Sequence, residues 1–326
     1  MYFTPTALAI LAVGGANAFS FPESVESTFN KLVGRKGGSD GCPKVWNSIS
    51  SEFVTMFTDT SVSPAQCNDD ARAAIRLAFH DCGAYKKSQG KVGGCDGSII
   101  LSTGNDELQR GENNGLQDIS AKVWALQKKY VKQDSSVTVA DTIQMAGAVA
   151  IVVCPGGPQM KLFMGRKDST TPAPDGLLPD VHASAASLNQ LFLDKGFSSA
   201  ELAALLGAHS TSKAFHQPDI PAGAYQDSTP GIWDVKYYAE TYNPPQGVVP
   251  FASDKVLANY ADVGAEFKKF VGNAGRWNGK FADAMTHMSQ LGAGQAANID
   301  CTQYVPKGKS AGNKRGMMGA SMFHKP

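Results

Sequence analysis

The sequence carries almost no excess of charge. Thirty Lys and Arg stand against twenty-nine Asp and Glu in 326 residues, for a net charge of +1. That balance excludes a general polyanion-binding surface, so no nucleic-acid partner is expected. Apolar runs are short. The clearest, Ala7 to Val13, cannot span a bilayer, and no membrane partner is expected. The chain has no internal repeat and no N-x-S/T sequon with a permitted middle residue. It also lacks G-x-S-x-G, H-E-x-x-H and a P-loop. Gly292-Ala293-Gly294 lacks the third glycine and the preceding strand of a dinucleotide fingerprint. Hydrophobic residues make up 42% and charged residues 18%, which suits one large globular domain with a sizeable core.

What is present begins with a targeting pattern. The apolar run is followed by Ala16-Asn17-Ala18, the small-x-small pattern of a signal-peptidase site, although no Lys or Arg precedes the run. Six cysteines, an even number, fit a chain that leaves the reducing compartment. The expected organisation is a signal peptide over 1–18, a leader over 19–38, a folded domain over 39–303 and a basic Gly/Ser-rich tail over 304–326. Arg35-Lys36 is either a processing site or a plain solvated pair.

Helical periodicity recurs along the middle of the chain. Helices are expected over Asp69–Cys82 (capped by Asn68 or Asp69), Ile119–Tyr130, Val139–Val153, Ala185–Asp194, Ser198–Ser210, Lys255–Val271 and Lys280–Leu291. Val139–Val153 is apolar nearly all round, as for a helix buried on most sides. Ser198-x-x-Glu201 forms a capping box, and Leu202, Leu205, Leu206 and His209 share one face of the helix it opens. Strand signals are sparse, and long connections rich in Pro, Gly and Asp span 171–179, 217–231 and 242–250. The reading is an all-α domain with ordered loops pinned by disulfides or metals.

Four features carry chemistry. Arg76 and His80 are four apart on a predicted helix, so both project from one face, and the arginine keeps the imidazole available as a base. A partly exposed charged face is the bland alternative. His209 on its apolar stripe is either a hydrogen-bonded core residue or an axial haem ligand. A ligand would need an acceptor on its other ring nitrogen, and Asp254 is the candidate. Each histidine is followed by an oxygen-rich cluster. The first is Asp81 with Gly94, Asp96 and Ser98. The second is Ser210 with Asp227, Thr229, Ile232 and Asp234. Mixed carboxylate, hydroxyl and carbonyl oxygens suit calcium, and ordinary turns are the alternative.

Together these elements resemble the plant-type haem peroxidase superfamily, and most of all its secreted fungal class of lignin and manganese peroxidases. The resemblance rests on R-L-A-F-H-D-C, G-G-C-D-G-S-I-I, C-P-G-G-P-Q-M with G-R-K-D, P-A-P-D-G-L-L-P, L-L-G-A-H-S and D-S-T-P-G-I-W-D, in the family's order, over roughly residues 42 to 301. It implies haem b held by His209, with Asp254 as the partner of that histidine. It implies Arg76 and His80 as the distal pair, Phe79 as the distal aromatic, and Asn113, with Asn114 as a rival, orienting His80. The distal calcium would take Asp81, Gly94 (carbonyl), Asp96 and Ser98. The proximal one would take Ser210, Asp227, Thr229, Ile232 (carbonyl) and Asp234. The disulfides implied are Cys42–Cys301 and Cys67–Cys154, as in the fungal class, and Cys82–Cys95, as in plant members. The implied protein is a secreted monomer that reduces hydrogen peroxide and oxidises small phenolic or aromatic donors.

Two departures narrow the donors. Manganese-oxidising members use three carboxylates, where this chain has Asp69, Ala73 and Phe215. Members with a surface tryptophan carry it five residues before the proximal histidine, where this chain has Ala204. Trp46, Trp124, Trp233 and Trp277 lie elsewhere and read as core. Two rivals stand beside this reading. One is a secreted haem- or calcium-binding relative without turnover, which would not need the Arg76–His80 pair. The other is an intracellular peroxidase with a protein donor, against which the signal segment and cysteines argue.

Overall fold

The computed structural model describes residues 41–308. The signal, leader and most of the tail lie outside the described residues. Within them the chain is mostly helical. The helices are α1 Val45–Phe57, α2 Asp69–Gly83, α3 Ser98–Leu101, α4 Gln117–Tyr130, α5 Val139–Val153, α6 Ala185–Lys195, α7 Ser199–Leu206, α8 Lys236–Glu240, α9 Ala252–Ala258, α10 Ala261–Phe270 and α11 Ala274–Met288. The strands form three two-residue antiparallel pairs, Thr58–Asp59 with Gln66–Cys67, Phe163–Met164 with Ile299–Asp300, and Lys213–Ala214 with Ala224–Tyr225. The expected all-α class stands.

α5 is the central helix of the first half. Every residue from Val139 to Val152 is buried, and α2, α1 and α4 pack around it. Its exposed N–H groups are taken in two ways. The Thr138 side chain accepts from Asp141 N, and the Asp168 carboxylate accepts from Val139 N and Ala140 N at 2.9 Å each. Asp141 in turn pairs with Arg166 at 2.7 Å, both side chains being buried, and Arg166 reaches Ser289 O at the end of α11. α1 escaped the sequence reading, although Trp46, Ile49, Phe53 and Phe57 recur at helical spacing and are all buried.

Three boundaries differ from expectation, each for a local reason. The helix expected over Ser198–Ser210 ends at Leu206, and a 3-10 turn, Gly207–Thr211, carries His209. Side chains have taken the carbonyls of its last turn. Tyr238 OH donates to Ala203 O at 3.0 Å and Trp277 Nε1 donates to Ala204 O at 3.0 Å. Gly207 lies so close that a Cβ there would sit 2.4 Å from both of those side chains. The helix expected over Lys255–Val271 is two helices. Tyr242 OH caps the first at Ala258 O, and Ala261 opens the second at φ 33°. α11 starts at Ala274 rather than Lys280, capped by Asn273 accepting from Arg276 N. Gly275 and Gly279 had weakened the helical signal there.

All three disulfides pair as the resemblance implied, Cys42–Cys301, Cys67–Cys154 and Cys82–Cys95. Among the described residues no helix is long and apolar enough to cross a membrane.

Candidate active site

α2 builds one wall of the site. Asn68 caps it by accepting from Ala71 N, and Arg76 and His80 rise from the same face one turn apart. Arg76 Nε donates to His80 Nε2 at 3.2 Å, so that nitrogen presents a lone pair. His80 Nδ1 lies 2.7 Å from Asn113 Oδ1 and carries the proton. Asn113 is held in that orientation because its Nδ2 donates to Glu107 O at 2.7 Å. The chain of contacts therefore assigns the tautomer, with a proton on Nδ1 and a basic Nε2. Asn114 contributes only its carbonyl, which accepts from Arg76 Nη1 at 2.9 Å, while Glu112 O accepts from Nη2 at 2.6 Å.

Burial pushes the His80 imidazole down to about 3, and the neighbouring Arg76 charge adds to this. Desolvation, rather than the arginine charge that the sequence spacing points to, is the larger cause. Burial also brings Arg76 down to about 10, so it stays charged at neutral pH. Phe79 stands edge-on to His80, with ring centroids 5.4 Å apart, and stacks on Phe192 of α6.

The second imidazole, His209, has Nδ1 3.0 and 3.1 Å from the two Asp254 oxygens. Asp254 lies in the first turn of α9 with its side chain fully buried, whereas the His209 side chain is 33% exposed. Nδ1 is thus committed inward, and Nε2 is the nitrogen left to face outward. Phe251 and Tyr237 both pack edge-on to the ring, at 5.1 and 6.0 Å. This donor set fits a haem: one imidazole, aimed by a buried carboxylate and walled by aromatics.

The two oxygen clusters contain buried atoms without partners. Asp81 Oδ1 has none, though its Oδ2 accepts from Gly97 N at 3.2 Å. Ser98 Oγ lies against Glu107 without a well-formed hydrogen bond. Asp96 accepts from Ser98 N, and Gly94 is packed so tightly that a Cβ would lie 2.3 Å from Leu291 O. Burial, then the Asp96 and Glu107 charges, push the Asp81 carboxyl far up. In the second cluster Ser210 Oγ and Asp227 Oδ2 are buried and unpartnered. Asp227 Oδ1 and Asp234 Oδ2 both meet Thr229 Oγ1, at 2.7 and 2.9 Å. Burial and then the Asp234 charge raise Asp227 to about 7. Ile232 closes the same turn, its N–H donating to Thr229 O. Among the described residues no three His, Cys, Asp or Glu side chains converge on one point. A ligand set built largely from hydroxyls and carbonyls still leaves orphaned oxygens beside mutually repelling carboxylates. That is the chemistry a hard divalent cation neutralises.

Glu107 was missed by the sequence reading. Its carbonyl fixes Asn113, and its carboxylate accepts from Ala173 N at 2.9 Å. A role played through a backbone oxygen leaves no residue-type signal. At the departures, Asp69 is held by Arg72 and Lys213, at 2.5 and 3.2 Å. Ala204 is fully buried, so that position offers no surface. Trp124 alone of the four tryptophans is substantially exposed, at 38%.

An arginine paired with a buried histidine on one helix and a carboxylate-anchored histidine on another segment define a haem peroxidase. The comparisons agree. The family described as Peroxidase matches residues 52–273. Among known proteins, Ligninase LG5 of Phanerodontia chrysosporium is 35% identical over 94% of this chain and 84% of its own length. Manganese peroxidase 3 of Phlebia radiata is 31% identical over 86% and 84% respectively. Versatile peroxidase VPS1 of Pleurotus eryngii is 28% identical over 95% and 88%. The chain belongs to the peroxidase family, as a relative of these fungal class II enzymes, and is a hydrogen-peroxide-dependent oxidoreductase.

Proposed function

We propose that this protein is a secreted peroxidase that reduces hydrogen peroxide and oxidises small phenolic or aromatic donors one electron at a time. His209 would hold the haem through Nε2, and the haem would supply the redox chemistry for reducing peroxide and oxidising donors. His80 moves the proton. Its Nε2 lone pair accepts the proton from the near peroxide oxygen and returns it to the far oxygen, which leaves as water. Arg76 places a fixed positive charge where negative charge develops on the leaving oxygen. Asn113, by holding the Nδ1 proton, keeps Nε2 the unprotonated nitrogen and so the one available as base. Asp254 aims His209 and adds anionic character to its ring.

Asp81, Gly94, Asp96 and Ser98 would hold one calcium ion, and Ser210, Asp227, Thr229, Ile232 and Asp234 another. Both follow directly on a histidine, Asp81 on His80 and Ser210 on His209. The ions would therefore brace the segments that set the two imidazoles. Secretion rests on the signal pattern, the three disulfides and the kinship with fungal enzymes.

The donor range follows from the two altered positions. Asp69 is neutralised by Arg72 and Lys213, Ala73 offers no ligand, and Phe215 is a half-exposed ring. Mn(II), which prefers hard oxygen donors, finds a poor site there. The observation that carries the proposal is His80, deprotonated and fixed between Arg76 and Asn113, since mere haem binding requires no such base. Steady-state turnover of a phenol, Mn(II) and veratryl alcohol tests it. A good phenol rate with poor rates for the other two is expected. No turnover of any donor by haem-loaded protein would overturn it.

A further inference from the structure

Tyr237 is fully buried, yet its hydroxyl makes no well-formed hydrogen bond. An orphaned phenol in a closed core is costly, because the desolvated hydroxyl recovers no hydrogen bond. The same ring would cost less as phenylalanine if packing were its whole purpose. Its neighbours suggest what the oxygen does. The ring stands edge-on to His209, with centroids 6.0 Å apart. Burial and then the Asp254 charge push the Tyr237 hydroxyl far up, and the Asp254 carboxylate and the Thr241 hydroxyl are the side chains its oxygen faces. Asp254 is the residue that holds His209 Nδ1 at 3.0 Å.

Tyr238, the next residue, provides a contrast. It is equally buried, but its hydroxyl donates to the Ala203 and Ala204 carbonyls at the end of α7. One tyrosine of the pair therefore shapes the backbone before His209, while the other faces the carboxylate behind it.

We infer that Tyr237 is a positioning residue that tunes the proximal histidine by donating a hydrogen bond to Asp254. The inference rests on His209 being the iron ligand. A carboxylate shared between two donors gives each less of its charge. With Tyr237 donating, Asp254 draws less on the His209 Nδ1 proton, and the ring carries less anionic character. Without that donor the carboxylate acts on His209 alone. A more anionic ring stabilises ferric over ferrous iron. The phenol is thereby a means of setting the iron potential from the side away from peroxide.

The test is the Fe(III)/Fe(II) midpoint potential of the haem-loaded protein, read by spectroelectrochemistry without any turnover. Tyr237→Phe keeps the ring and removes the donor, so the midpoint should move negative and the ferrous iron–histidine stretch should rise in frequency. Tyr130→Phe, which removes a hydroxyl that meets Glu52 and no proximal residue, should leave both readings at the wild-type values. In an Asp254→Asn background, Tyr237→Phe should have no further effect. If Tyr237→Phe does not fold, 3-fluorotyrosine placed at position 237 retains the hydroxyl as a stronger donor and should move the midpoint positive. An unchanged midpoint in both altered proteins, or equal shifts for Tyr237→Phe and Tyr130→Phe, would overturn the assignment. A midpoint insensitive to Asp254→Asn would instead contradict the reading of His209 as the ligand.

Discussion

Asn113 Oδ1 lies 2.7 Å from His80 Nδ1, and this contact decides which nitrogen of a buried imidazole can take a proton. The asparagine is itself set by the Glu107 carbonyl, so a segment of irregular loop positions the base on α2. Asn113→Ala should leave the fold intact and let the His80 ring turn. The rate of reaction with peroxide should fall, by less than the roughly 10²–10⁴-fold that a general acid–base contributes. Stopped-flow kinetics with peroxide measures this, while the rate of donor oxidation should stay near wild type. An unchanged peroxide rate would remove Asn113 from the account.

Calcium removal gives the second prediction. Each cluster holds buried oxygens with no partner, and each adjoins a histidine. Exhaustive chelation should abolish turnover, and added Ca²⁺ should restore it. Asp81→Ala and Asp227→Ala should each lower the thermal midpoint and the activity together. Full activity in calcium-free protein, verified by elemental analysis, would show that the clusters are ordinary turns.

The Asp69 cluster gives the third. Lys213 pairs with Asp69 at 3.2 Å where a manganese site would need a free carboxylate. Ala73→Glu with Phe215→Asp supplies two more acids but leaves Asp69 paired. Adding Lys213→Ala should raise Mn(II) turnover beyond the double variant, with phenol turnover little changed. Wild-type oxidation of Mn(II) as fast as a phenol would mean that another metal site exists.

Much of this site was legible from residue types. The capping box at Ser198–Glu201, the paired Arg76 and His80, and the histidine–oxygen clusters are all local patterns. α5 was readable to the residue because its breakers, Cys154-Pro155-Gly156-Gly157, follow a mostly apolar stretch. What the sequence hid depends on distant partners. His209 sits in a 3-10 turn because Tyr238 and Trp277 take carbonyls of α7. The cap on α9 comes from Tyr242, sixteen residues before Ala258. Glu107 acts through its backbone, and Tyr237 through a hydroxyl whose neighbour is seventeen residues away. Local periodicity carries no record of such contacts.

The short disulfide gives a fourth prediction. Cys82–Cys95 closes a loop with a sequence separation of 13, joining the end of α2 to the oxygen cluster beyond it. Replacing both cysteines with serine should cost about 3 kcal/mol in the chain-entropy picture. Thermal unfolding should show a lower midpoint, and calcium-dependent activity should be lost at lower temperature than in wild type. An unaltered midpoint would mean that the bridge adds nothing to the packing around it.

The most direct test of the central claim is the second-order rate of peroxide reduction by haem-loaded protein, wild type against His80→Leu, across pH. Burial holds the His80 imidazole down to about 3 in the folded chain. The folded pKa lies below the unfolded one, so the base stays unprotonated through neutral and mildly acidic pH. Stability falls as pH drops below the unfolded value of about 6.5, where only the unfolded chain binds the proton. The wild-type rate should therefore be flat from neutral pH down toward about 3, over the range in which the protein remains folded. His80→Leu should be slower by roughly 10²–10⁴-fold at every pH in that range. A variant that reduces peroxide as fast as the wild type would contradict the account, because the proton would then be carried by some other group.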